Sequence, residues 1–210
     1  MMPAQLYTTT DKSIRTILLK DLKEKYRNHD KNTTAIIPEL ALPKGLARID
    51  VAVVNGVMHG YELKSDFDNL LRLRLQIDAY NLIFDKVTLV VGRKHILEAL
   101  NAIPSWWGVT VAKEQNGAQD LNLFLIREAE DNPEQDIYTI ATMLWRREAL
   151  ELLNKKQTKK QKYSSKDIIC KTLVETYERD ELKDHVKQYL VNRFFNSKWR
   201  ADEVSKTYDD

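Results

Sequence analysis

Three side chains in the first third of the chain have the types and spacing for metal-assisted hydrolysis. Asp50 lies in the β-branched run Arg48-Ile-Asp-Val-Ala-Val-Val54, and Glu62 and Lys64 lie two positions apart in a second run, Val57 to Lys64. Two carboxylates suit Mg²⁺ or Mn²⁺, hard cations that prefer oxygen ligands. Such an ion polarises a phosphoryl oxygen and lowers the pKa of water, while a lysine orients that water and stabilises developing negative charge. This set needs neither histidine nor thiol. Cys170 is the one cysteine, which excludes an internal disulfide or a thiolate cluster, and the four histidines, at 29, 59, 95 and 185, have no metal-ligand spacing.

The elements that must position these groups are legible in outline. Strand side chains alternate between faces, so Glu62 and Lys64 project from one side, one pleat apart. Asn55-Gly56 between the two runs marks a hairpin. A two-residue loop there would oppose position 50 to 61 and put Asp50 and Glu62 on opposite faces. For the carboxylates to act together, the connection must have an odd number of residues, or the strand must bulge, as at Gly60. Around the hairpin, the spacing of Ile14, Ile17, Leu18, Leu19 and Leu22 predicts a helix over 11–27, with Thr10 or Asp11 as N-cap. Residues 35–42 read as an extended segment carrying Glu39. An amphipathic helix is expected over 66–84, with Asp66 and Asp68 capping its start, then a buried central strand over 86–91 and a helix over 93–102. Strands follow at 108–113 and 121–127. After an acidic linker at 128–134, helices are expected over 136–153, 166–179 and 181–195. The layout is an α/β core over 1–130 and an all-helical extension over 131–210.

Composition sets the bounds on partners. The chain has 210 residues, 43% of them hydrophobic and 30% charged, with a net charge of +2. That near-neutral value conceals a charge of +4 over 1–113, −6 over 114–153, +7 over 154–200 and −3 in the last ten residues. Lys155, Lys156, Lys159, Lys160 and Lys162 form the most basic stretch, which is suited to phosphate contacts. No apolar run approaches the roughly 18–20 residues of a membrane helix. Residues 1–10 lack the basic-then-apolar pattern of a signal peptide, so a cytoplasmic protein without a membrane partner is expected.

Asp50, an eleven-residue gap, then Glu62-Leu63-Lys64 resembles the core of the PD-(D/E)XK nuclease superfamily, with Ile49 where the proline usually stands. Gln76-Ile-Asp-Ala-Tyr80 resembles the Q-x-x-x-Y motif of its exonuclease-like branch, and i, i+4 spacing puts Gln76 and Tyr80 on one helix face. Ala47 to Gly56, Gly60 to Asp66 and Leu144-Trp-Arg-Arg-Glu148 are similar to segments of an uncharacterised bacterial and phage-associated family placed in that superfamily. The resemblance implies a restriction-endonuclease-like mixed sheet flanked by helices, here with a helical C-terminal extension. It also implies a Mg²⁺- or Mn²⁺-dependent nuclease acting on nucleic acid, DNA before RNA. Asp50 and Glu62 would hold the metal, with Glu39 in the place of an additional acidic ligand. Lys64 would assist the attacking water, and Gln76 and Tyr80 would position substrate or water. Arg72, one turn before Gln76, is placed to reach a phosphate. The alternative on the same fold is a catalytically silent nucleic-acid-binding or adaptor module.

The remaining chemistry-bearing residues carry structural expectations. His59 reads as a structural strand histidine, and His95 as a surface residue near a helix start. Burial is expected for at least one of Trp106 and Trp107, and for Cys170 as a small apolar residue.

Overall fold

A computed structural model describes residues 8–30, 32–114, 121–155 and 164–196. Helix α1, Asp11–Lys25, starts where expected. Thr10 is its N-cap, accepting from Ser13 N (3.1 Å) while the Ser13 hydroxyl accepts from Thr10 N (3.0 Å). Ile14, Leu18 and Leu22 recur every four residues and are buried.

Six strands form one sheet in chain order: β1 Thr34–Ala41, β2 Arg48–Asn55, β3 Val57–Lys64, β4 Lys86–Gly92, β5 Gly108–Glu114 and β6 Leu121–Arg127. The pairs β1–β2, β2–β3 and β5–β6 are antiparallel, and β3–β4 and β4–β5 are parallel. Each parallel step needs a crossover, supplied by α2 (Leu73–Asn81) and by α3 (Ile96–Ala102). The nearly all-apolar β4 lies between two parallel neighbours, as expected for a strand buried on both faces.

The β2–β3 register meets the odd-loop expectation. Asn55 pairs with Val57 across Gly56 alone, followed by Val53 with His59 and Val51 with Tyr61. Gly56 takes a φ of 65°, the left-handed region that glycine adopts without penalty. The same region is imposed on Glu39 in β1, at φ 53°. Pairing continues past it without a register shift, from Pro38 opposite Val51 to Leu40 opposite Ile49. Alternation breaks there, however, and Ile37 and Leu40 join one apolar cluster, as do Ile49 and Ala52.

The two sheet faces carry unequal cores. α1 covers one face, where Ile14, Leu18 and Leu22 meet Val51, Val53, Tyr61, Leu63 and Val90. The other face carries the larger cluster, shared with α2, α3 and four C-terminal helices: α4 Ile137–Ala141, α5 Arg146–Lys155, α6 Lys166–Thr176 and α7 Arg179–Phe195. α7 is tied to the hairpin by Lys187 Nζ donating to Gly56 O (2.5 Å), and through Asp85, which pairs with Lys183 Nζ (2.7 Å) and accepts from Met58 N (2.7 Å). No helix among the described residues is long and apolar enough to cross a membrane.

Four local expectations are corrected. The helix after β3 starts at Leu73, not at 66. Asp66 is occupied at a distance, accepting from Thr9 N (2.8 Å), Thr9 Oγ1 (2.7 Å) and Lys94 N (2.9 Å), and Asp68 accepts from Ser65 N (2.7 Å). Neither caps α2, whose N-cap is Arg72. The helix expected over 136–153 is broken between α4 and α5. At the break, Glu148 accepts from Trp145 N (2.7 Å), while Arg193 donates to Met143 O (2.7 Å) and pairs with Glu148 (2.7 Å). Satisfying these backbone groups with side chains, Glu148 in the first turn of α5 and Arg193 on α7, stabilises the interruption. His95 precedes α3 but is buried, its Nε2 3.0 Å from Asp68 O. Trp106 and Trp107 are both buried, where burial of at least one was expected, and Trp107 donates Nε1–H to Asn81 Oδ1 at 3.0 Å.

Candidate active site

The end of β3 brings Glu62 and Lys64 to one face, where their residues are 2% and 6% exposed. Burial at this depth demands partners for both charges. Lys64 Nζ lies 2.6 Å from Glu62 Oε1. α2 supplies the remainder. Gln76 Nε2 donates to Glu62 Oε1 (2.5 Å), and the Tyr80 hydroxyl donates to Glu62 Oε2 (2.7 Å) and also lies 2.9 Å from Arg48 O. Gln76 and Tyr80 therefore converge on the carboxylate of the E-x-K motif. Burial, and secondarily the charge of Asp50, pushes the Glu62 carboxyl above the usual carboxylate range, against Lys64 and Tyr80. Burial and the adjoining Glu62 charge push the Tyr80 phenol far up, so its proton stays in place.

Asp50 lies beside this group but has its own partners. Its Oδ2 accepts from Leu63 N on β3 (2.9 Å). Its Oδ1 is 2.6 Å from Nη2 of Arg15, and its carbonyl accepts from Arg15 Nη1 (3.0 Å). The same guanidinium meets Glu39 (2.7 Å) and Asp11 (3.1 Å), and Arg48 pairs with Glu39 at 2.8 Å. The break of alternation at Glu39 thus accompanies a turn of both acidic side chains toward α1. Sequence reasoning did not single out Arg15. The Asp11–Arg15 spacing of four residues was a visible signal, but contacts reaching 35 residues along the chain were not.

These groups line an open cleft of about 320 Å³, walled by Glu39, Asp50, Glu62, Lys64, Arg72 and Gln76. Arg72 is exposed at its mouth. Gln76 Oε1 is buried without a hydrogen-bond partner among the described residues, an acceptor left for something in the cleft. Lys155 ends α5, and its side chain, like all of Lys156, Lys159 and Lys160, lies outside the described residues.

As a donor set, Asp50, Glu62 and Glu39 offer the hard oxygens that Mg²⁺ or Mn²⁺ prefers. Among the described residues, no three His, Cys, Asp or Glu side chains are already gathered to hold a metal ion. Asp50 and Glu39 are bridged by Arg15, and Glu62 is paired with Lys64. His59 is not part of the site. It lies on alternate β3 positions from Glu62, stacks on Tyr61 and has its Nε2 2.8 Å from Thr88 Oγ1. Burial, helped by Lys25 and Lys86, pushes it down to about 3, so it is neutral.

Comparison with known proteins finds a structural neighbour and a phage protein family. A Silicibacter pomeroyi protein of unknown function superposes with a TM-score of 0.42 at 16% identity, over 72% of this chain and 97% of that one. Protein cII of Enterobacteria phage P4 is 32% identical over 93 residues, which cover 44% of this chain and 35% of that protein, so the match spans about a third of the relative's length. The family model for bacteriophage P4 protein cII matches residues 5–204, nearly the whole chain, and with it every residue of the cleft. The chain belongs to the bacteriophage P4 protein cII family.

Proposed function

We propose that this protein is a Mg²⁺- or Mn²⁺-dependent nuclease on a restriction-endonuclease-like fold, hydrolysing phosphodiester bonds in DNA in preference to RNA. The carrying observation is the convergence of Lys64, Gln76 and Tyr80 on the buried Glu62, next to Asp50, at the floor of a cleft open to solvent. Five polar side chains from β2, β3 and α2 are gathered where a purely structural role would be filled by apolar packing. The element order supports the same reading: helix, strand, hairpin, helix, and a strand parallel to the one bearing Glu62 and Lys64.

A divalent ion held by Asp50 and Glu62, with Glu39, would supply Lewis-acid polarisation of the phosphoryl group. Lys64 Nζ would orient the attacking water and stabilise negative charge on the phosphate. Gln76 Oε1 would accept a hydrogen bond from that water, and Tyr80 would keep Glu62 in its rotamer. Arg72, at the mouth, would hold a flanking phosphate. Lys155, Lys156, Lys159 and Lys160 would add charge contacts along the strand.

The test is incubation of the purified protein with labelled single- and double-stranded DNA and RNA in Mn²⁺. The expected result is cleavage of at least one DNA form, abolished by chelator. Intact substrates under every condition would contradict the reading. A second reading, a catalytically silent nucleic-acid-binding module, is favoured by one observation: Asp50, Glu39 and Glu62 are each paired with a side-chain cation. It predicts salt-sensitive nucleic-acid binding that is indifferent to Mn²⁺.

A further inference from the structure

We propose that Arg15 is a cation latch on this site, holding Asp50 and Glu39 in the metal-free protein and competing with the divalent ion for them. The inference rests on the metal-dependent reading and names how that site is regulated.

Arg15 contacts Asp11, Glu39 and Asp50, and also donates to the Asp50 carbonyl. Three carboxylates drawn to one point would repel one another, and a fixed charge in their midst removes that cost. A guanidinium in a protein stays charged. It is therefore a permanent occupant that proton loss cannot remove.

The geometry sets Arg15 and a divalent ion in competition. Asp50 presents Oδ2 to Leu63 N and Oδ1 to Arg15, so the oxygen free of backbone contact is the one that Arg15 covers. A divalent ion ligated by Asp50 would have a guanidinium charge as its immediate neighbour, and that repulsion lowers its affinity for as long as Arg15 stays. Only the side chain must move. Ile14 and Leu18, on either side of it in sequence, are buried against the sheet and fix α1. Asp11, which is more exposed than Asp50, can retain the guanidinium once Asp50 and Glu39 are released. The latch thus offsets part of the charge of the acidic cluster when divalent ion is scarce and gives way when it is abundant.

The test is Mn²⁺ titration of the full chain, without nucleic acid, followed by the electron-spin resonance of free Mn²⁺. Wild type, Arg15→Ala, Arg15→Gln and Asp50→Asn are compared, with circular dichroism as the check on folding. The expected result is Mn²⁺ binding about tenfold or more tighter in Arg15→Ala and Arg15→Gln than in wild type, and lost in Asp50→Asn. The metal-free thermal midpoint of the Arg15 variants should fall, and Mn²⁺ should raise it more than it does in wild type. If Arg15→Ala does not fold, Arg15→Gln, which keeps a donor but no charge, carries the comparison. Binding by wild type with equal or weaker binding by the Arg15 variants would overturn the latch and leave the metal site standing. Absence of Mn²⁺ binding in wild type and variants alike would overturn both.

Discussion

At the scale of single residues, the site is held together by the buried pair of Glu62 and Lys64. Removing one partner of such a pair typically costs about 3–5 kcal/mol, because the other charge is left unpaired. The Glu62 carboxyl is already raised by burial and Asp50, and loss of the ammonium raises it further. A raised carboxyl contributes stability that is present at low pH and lost as pH rises through its folded value. Lys64→Met should therefore be least destabilised near pH 5 and increasingly so toward pH 8, and Glu62→Gln in the same chain should remove that pH dependence. Urea midpoints across the range check both statements. The site was legible at this scale to the extent that chemistry follows local spacing. Glu62, Lys64, Gln76 and Tyr80 are read from intervals of two and four residues, and the structure joins them. Arg15 was not legible, because its position depends on how α1 crosses the sheet.

At the scale of elements, the break at Glu39 joins β1 to α1 through the ion pair of Glu39 with Arg15. A non-glycine residue in the left-handed region carries a penalty of about 1–2 kcal/mol. Glu39→Ala and Glu39→Gly lose the same ion pairs, so the difference between them isolates the backbone. Glu39→Gly should be the more stable by about 1 kcal/mol in equilibrium unfolding, and equal stability would show that the backbone relaxes without penalty. Where the sequence reading succeeded, it rested on period and turn chemistry: the β-branched runs, Asn55-Gly56 and the apolar β4. Where it failed, a distant partner decided. Asp66 and Asp68 have the look of helix caps, yet Asp66 is captured by Thr9, 57 residues away in sequence. The α4–α5 break depends on Arg193, which reaches Met143 across 50 residues. Periodicity does not register contacts of that range.

At the scale of the whole molecule, the apolar cluster runs without interruption from the sheet into the C-terminal helices. Ile37, Val54 and Phe84 belong to the same core as Leu144, Leu173 and Val186. The helices following residue 131 therefore buttress the face of the sheet on which α2 lies and help hold Gln76 and Tyr80 in place. The basic stretch from Lys155 is the charge asymmetry that the near-zero total hides. If it contacts a polyanion, changing Lys155, Lys156, Lys159 and Lys160 together to Gln should reduce the slope of log affinity against log salt by up to roughly 3.6 for duplex DNA. Fluorescence anisotropy between low and moderate salt measures that slope, and an unchanged value would remove the stretch from the interface. The central claim concerns the cleft itself. The most direct measurement is single-turnover cleavage of labelled DNA in Mn²⁺ by wild type, Asp50→Asn and Lys64→Ala, each verified as folded. The account predicts chelator-sensitive cleavage by wild type and a loss of at least a hundredfold in each variant; cleavage at the wild-type rate in either variant would contradict it.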